Sequence, residues 1–298
     1  MEFKLLKTFE TVASLMSFGR AAEVLHVTQS TVSAQIQQLE DDLGTPVFER
    51  LGRRILLTPA GEKLLLHTRR MLEYEKSVYS VVRGDTAVAG TISIRIPQST
   101  AFLYLPEILF RFCRLYPNVG FDISNCGYFN LTDELRDGRI DVAFLLCDNV
   151  DLAEVSSQKL CSETLVYLTH RKSPLAQKKA LTIVDLHGQT LLLPKHDCGY
   201  RMSLEQTLRE AAVDVAAIIE MNSLSAILQC LATGLGVALL PQKIAQSTLG
   251  SNRLIALDWC HPLETGLHLI CHKRRVLSGA PAAFVDTVES YFKDMPAQ

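Results

Sequence analysis

The chain has 298 residues, of which 48% are hydrophobic, 21% charged and 7% aromatic, and its formal net charge is −2. At about twice the common single-domain size, this composition predicts two or three compact units and excludes a disordered chain, a collagen-like repeat or an acidic tail. With 30 basic against 32 acidic residues, any contact with nucleic acid has to come from a local patch and not from bulk positive charge.

The first residues enter an amphipathic pattern directly, without a basic segment followed by an apolar one. No apolar run approaches the ~18–20 residues that cross a bilayer. The expectation is a cytoplasmic protein without membrane contact. Eight cysteines (113, 126, 147, 161, 198, 230, 260 and 271) form no Cys-x-x-Cys pair and no zinc-finger spacing. Reduced thiols are therefore expected, with no metal site and no cofactor.

Leu5, Leu6, Phe9, Val12, Ala13 and Met16 recur at helical spacing, so residues 3–15 read as an amphipathic helix. After a break at Ser17, Phe18, Ala21, Ala22 and Leu25 mark a second helix, and 26–28 a tight turn. Thr28 is placed to N-cap a third helix that puts Val32, Ile36 and Leu39 on one face. The opposite face carries Ser30, Ala34 and Gln37, flanked by Ser33 and Gln38. An ordinary solvated face carries Lys and Glu, whereas this one is uncharged. Gln29, Ser30, Thr31, Ser33 and Gln37 suit the edges of base pairs, since an amide pairs bidentately with adenine.

Residues 46–57 read as a small hairpin with Arg50, Arg53 and Arg54 near its tip, suited to phosphate or the minor groove. Residues 1–57 nevertheless hold six basic against seven acidic side chains. A single copy should bind DNA weakly, which argues for an oligomer. Thr58-Pro59 starts a helix that runs to about Arg83, in which Leu64, Met71 and Val78, like His67, Tyr74 and Val81, stand seven apart. That spacing predicts a seam for a second helix.

Residues 84–90 read as a linker. Strands at 91–96, 119–124 and 140–146 then alternate with helices at 101–116 and 131–137. The pattern resumes with strands at 165–168, 191–193, 215–220 and 237–240, helices at 203–212 and 223–233, a strand at 267–271 and a closing helix at 281–292. Such alternation predicts parallel βαβ units. Two βα sets joined by strands near 161–168 and 265–271 fit two lobes with a cleft between them, and one doubly wound sheet, which needs no second crossing, is the alternative. Ligands of open α/β lobes sit where helix N-termini gather beyond strand ends. Gln98, Ser99 and Thr100 occupy one such place and Asn222 and Ser223 another, each offering hydroxyls and amide groups to an anion. In the loop before residue 203, Arg201 is suited to a carboxylate. Cys198 beside His196 is suited to oxidant sensing, with Cys230 the next cysteine along the chain.

The N-terminal pattern resembles the LysR-type transcriptional regulators. The residues that carry the likeness are Leu6 and Phe9; Ser17, Phe18, Ala21 and Ala22; Thr28, Gln29, Ser30, Val32, Ser33, Gln35, Ile36, Leu39 and Glu40; Leu43, Gly44, Val47, Phe48 and Arg50; and Leu57, Thr58, Ala60 and Gly61. Two departures are Ser30, where the family often has Pro, and Ala34, where it often has Arg. The resemblance implies an α/β chain with a winged helix-turn-helix at 1–58, a dimerising linker helix and hinge at 59–89, and an effector domain at 90–298. That domain would be two-lobed and similar to a type 2 periplasmic binding protein, with lobe I near 90–162 and 267–298 and lobe II near 163–266. It also implies double-stranded promoter DNA with a dyad, A/T-rich site, homodimers or homotetramers, a small-molecule effector and RNA polymerase as partners. The reading is a transcription regulator and not an enzyme, with a carboxylate or other anion as effector. A thiol-based redox regulator acting through Cys198, a cytoplasmic solute-binding module and an enzyme are the alternatives. The last lacks any nucleophile-elbow, phosphate-loop or zinc-protease motif.

Overall fold

The computed structural model describes residues 2–51, 54–83, 88–194, 199–248 and 253–295. Two compact units divide the chain, Met1–Val88 and Ala89–Gln298.

The first unit contains α1 (Phe3–Leu15), α2 (Phe18–Leu25), α3 (Gln29–Leu43), a hairpin of β1 (Phe48–Leu51) and β2 (Arg54–Leu57), and α4 (Pro59–Arg83). Local chemistry sets the breaks. Met16 and His26 adopt left-handed conformations that end α1 and α2. Ser17 then caps α2 by accepting from the Arg20 N–H at 3.3 Å, and Thr28 caps α3 by accepting from the Thr31 N–H at 3.2 Å. The apolar faces meet in one core in which Leu6, Phe9, Val12, Ala21, Val32 and Leu39 are buried.

The end of α3 also fixes the hairpin. Glu40 Oε1 accepts from the backbone N–H groups of Val47 at 2.8 Å and Phe48 at 3.2 Å. Thr58 donates to the Pro46 carbonyl and caps α4 through the Gly61 N–H. The expected seam along α4 divides in two. Leu64 and Met71 pack on the unit's own core, whereas Tyr74 and Val78 are exposed; Val81 lies outside the described side chains. Glu40→Ala leaves two donors without their acceptor and should cost about 1–3 kcal/mol. Thermal unfolding of the variant should show a melting point lowered by several degrees.

The second unit is built on a mixed sheet. Its strands among the described residues are β3 (Gly90–Ile96), β4 (Val119–Asn125), β5 (Val142–Cys147), β6 (Val155–His170), β7 (Thr190–Leu193), β8 (Ala217–Glu220), β9 (Val237–Pro241), β10 (Leu254–Ala256) and β11 (Leu263–His272). Their order is β4-β3-β5-β11-β6-β9-β7-β8, with β10 on β6. Helices α5 (Gln98–Leu115), α6 (Leu131–Arg136), α7 (Gly199–Glu210), α8 (Leu224–Ala232), α9 (Gln242–Thr248) and α10 (Ala280–Asp294) cover it.

β6 and β11 join the halves. From Val155 to Leu165, β6 pairs antiparallel with β11; from Leu165 to Thr169 it pairs with β9. The sequence predicts 165–168, or about 161–168 as the joining strand, of this 16-residue strand, because its first half is largely solvent-facing and polar and carries no apolar alternation. Helix α9 follows directly on Pro241, the last residue of β9, and neither α9 nor β10 is long enough to show a period in the sequence. Two helix starts also differ from expectation. α5 begins at Gln98 rather than 101, and α7 at Gly199 rather than 203.

Candidate DNA-reading face and effector cleft

On α3 the apolar stripe is buried while Gln29, Ser30, Ala34, Gln37 and Gln38 are exposed, and Thr31 and Ser33 are half-buried. The cap organises the first turn: Thr28 Oγ1 is 2.8 Å from both the Ser30 and the Thr31 hydroxyls. The neutral face is shorter than the sequence suggests. Helix α3 continues to Leu43, and the Gln37 side chain donates to Asp41 Oδ1 at 2.9 Å. Its last turns carry Glu40, Asp41 and Asp42, which repel phosphate, so the face open to a polyanion is the N-terminal part of the helix. Arg50 and Arg54 lie on the two hairpin strands, with side chains outside the described set, and Arg53 is itself outside the described residues.

In the second unit, β3 runs into α5 and β8 leads to α8, so two helix N-termini meet at one cleft. Gln98, Ser99, Cys126, Tyr200, Asn222 and Leu224 are among the residues around a cavity of about 40 Å³. Among the described residues this is space for a few waters. Contacts across the cleft keep it narrow. Gln98 Oε1 accepts from the Leu224 N–H, the first of α8, at 2.6 Å. Ser203 on α7 donates to Asp148, just beyond β5, at 3.1 Å. Gly199 is pressed onto β5: a Cβ there would meet the Cys147 Cβ at 2.5 Å and the Leu146 carbonyl oxygen at 2.6 Å.

The sequence-derived cleft residues therefore fall into different roles. Ser223 caps α8 by accepting from the Ala226 N–H at 3.3 Å. Ser99 and Thr100 are not caps: they are buried within the first turn of α5, whose N-cap is Pro97 and has no side-chain cap bond. Gln98 and Asn222 face the cleft. His196 and Cys198 lie outside the described residues. Arg201 is corrected outright. It sits in the first turn of α7, only 3% exposed, and its guanidinium donates to Glu205 at 2.7 Å, to Glu220 at 2.8 Å and to the Pro194 carbonyl. The bonds to Pro194 and Glu220 tie α7 to the ends of β7 and β8, and the bond to Glu205 lies within α7, so this buried guanidinium serves as a structural tie. Sequence spacing could not reveal this, because Glu220 is on another element.

With Arg201 withdrawn, every described residue around the cavity is uncharged. The described cysteines are free thiols. Burial pushes the Cys147 and Cys161 thiols up and Cys271 to about 11, which keeps them protonated and slow to react with oxidants. Gly199 itself packs against Cys147.

Residues 3–62 match the family model described as a bacterial regulatory helix-turn-helix protein of the lysR family, and residues 86–293 match the LysR substrate binding domain. The chain belongs to the LysR family. The transcriptional regulator GltR of Bacillus subtilis is 30% identical over 83% of this chain and 82% of its own length. YwqM of the same organism, also described as an HTH-type transcriptional regulator, is 29% identical over 98% of this chain and 100% of its own length. Among solved structures, full-length CbnR complexed with target DNA matches with a TM-score of 0.65 at 23% identity, covering 97% of this chain and 99% of that one. As a LysR-family protein the chain is a DNA-binding transcriptional regulator with an effector-binding domain, and not an enzyme. Among the described residues, no helix is long and apolar enough to cross a membrane.

Arg201→Ala should lower the stability of the second unit by about 1–3 kcal/mol by leaving the Pro194 carbonyl and two glutamates without their donor. Ligand response measured below the lowered melting point should be unchanged.

Proposed function

We propose that the first turns of α3 read base edges in the major groove, while Arg50, Arg53 and Arg54 on the hairpin hold phosphate or enter the minor groove. The observation that carries this reading is the exposed, uncharged start of α3 set against its acidic end. Gln29 and Ser33 are the main readers, Ser30 and Thr31 contribute from the hydroxyl cluster around Thr28, and Gln37 marks the limit of the face. A Gln-rich reading surface favours A·T pairs, which fits a dyad site with A/T-rich ends. Gln29→Ala should relax base preference with little change in salt dependence. Arg53→Ala should weaken binding to all sequences and reduce the slope of log affinity against log salt by about one. Equilibrium titrations on matched and scrambled duplexes at several salt concentrations separate the two outcomes, and identical behaviour of the two variants overturns the assignment.

Operator binding by this regulator requires paired copies, because the first 57 residues carry slightly more acid than base. Tyr74 and Val78 on the outer half of α4, and Phe102 and Phe110 on α5, are exposed apolar side chains suited to a second copy in a homodimer or homotetramer. The protein acts in the cytoplasm, with RNA polymerase as the partner that reads its occupancy of the promoter.

The effector is a small carboxylate or similar anion that enters the cleft and takes over the Leu224 N–H now held by Gln98. Support comes from two helix N-termini converging where no acidic side chain lines the described cavity. A thermal-shift screen of small carboxylates and aromatic acids should raise the melting point of the full chain. Gln98→Ala should respond at roughly two- to tenfold lower ligand concentration, since a neutral hydrogen bond no longer competes. A weaker response by the variant makes Gln98 a direct ligand instead of a competitor.

A further inference from the structure

Away from the cleft, three polar side chains from separate elements meet in the interior. Glu163 lies on β6, near the point where that strand changes partner from β11 to β9, and it is 3% exposed. Tyr104, on α5, is equally buried and donates its hydroxyl hydrogen to Glu163 Oε1. Lys243, on α9, donates to the Tyr104 hydroxyl at 2.6 Å and to Glu163 Oε1 at 3.1 Å. Around them, Tyr291 and Phe292 of α10 pack on the Tyr104 ring, and the Cys161 thiol lies 3.7 Å from the carboxylate. Across the ladder Thr265 pairs in register with Glu163, yet its buried hydroxyl has no hydrogen-bond partner. The carboxylate is served by α5 and α9 and not by the neighbouring strand.

The placement matters more than the bonds themselves. Helix α5 follows β3 in one half of the sheet, and α9 follows β9 in the other. A buried carboxylate that loses its cation is left uncompensated in a low-dielectric interior, so the contact resists any shift of α9 relative to α5. Burial pushes the Glu163 carboxyl up, and Lys243 pulls it back down. Its ionised form thus depends on the ammonium staying in place.

We propose that Tyr104, Glu163 and Lys243 form a latch that clamps the two halves of the effector domain at their crossing point and holds the ligand-free regulator in one arrangement. The cluster makes no contact with the cavity described above, so it acts on the equilibrium between arrangements and not on ligand recognition.

Hydrogen–deuterium exchange on the full-length, ligand-free chain tests the latch directly, with footprinting on the DNA upstream of its own gene as the functional readout. Lys243→Met strands the carboxylate while keeping most of the side-chain volume. It should raise exchange in α9 and the start of α5 by about tenfold while leaving β3 and β7 as protected as in the parent, and it should change the protected length of DNA. Glu163→Gln should do the same more weakly, because an amide still accepts from Tyr104. The double variant E163Q/K243M should match E163Q, since the two residues act as one unit; it also serves if K243M alone does not fold. Unchanged exchange in α9, a uniform rise across both halves, or additive effects in the double variant each overturn the latch. Raised exchange with an unaltered footprint overturns its regulatory role. If the parent protein gives no footprint at all, the DNA-reading proposal fails, and exchange still decides the latch.

Discussion

Everything in the effector domain depends on β6 and β11 staying paired. The ladder between them runs from Val155 to Leu165 on one strand and Leu263 to His272 on the other, with an irregularity at Leu267/His268. β6 then continues into the second half beside β9. Because the two halves share these strands, their cores form separately while their cleft-facing ends stay in register. The cleft is thus a product of topology: β3 delivers α5 to one side of it, and the short segment after β8 delivers α8 to the other. A change at either helix N-terminus leaves the ladder intact, and a separation of the halves is carried by the two strands that cross between them.

The two functional regions share an electrostatic character although they are built differently. The start of α3 presents amides and hydroxyls, with its acids at the far end. The described cleft residues are neutral, and the nearby Arg201 is turned into a structural tie by Glu205 and Glu220. In both places, what the described residues offer a partner is oriented dipoles and hydrogen-bonding groups and not net charge.

Much of the first unit is legible in the sequence because its determinants are local. Leu6 and Phe9, the Ser17 and Thr28 caps and the Thr58-Pro59 start each act within a few residues, and α1 to α4 fall where spacing places them. The second unit is legible as an alternation of strands and helices but not in its detail. Ser99 and Thr100 precede the expected helix start at 101, yet the helix begins at Gln98, after Pro97 whose extended ψ of 142° marks the boundary, and both side chains are buried in its first turn. Half of β6 is held by pairing rather than by its own pattern. Arg201 looks free until Glu220 is placed beside it. The bond from Leu224 to Gln98, 126 residues apart, and the meeting of Tyr104, Glu163 and Lys243 are products of tertiary structure, without a signal in any window of sequence.

The bond between Gln98 and Leu224 has a consequence for sensitivity. It joins two uncharged groups near the surface, and such a bond contributes only about 0.5–1.5 kcal/mol net. By itself it biases the narrow form of the cleft over a wider one by a factor of roughly two to ten, which leaves a standing minority of molecules open. If an effector displaces this bond as proposed, the concentration at which it acts lies within reach of one amide substitution.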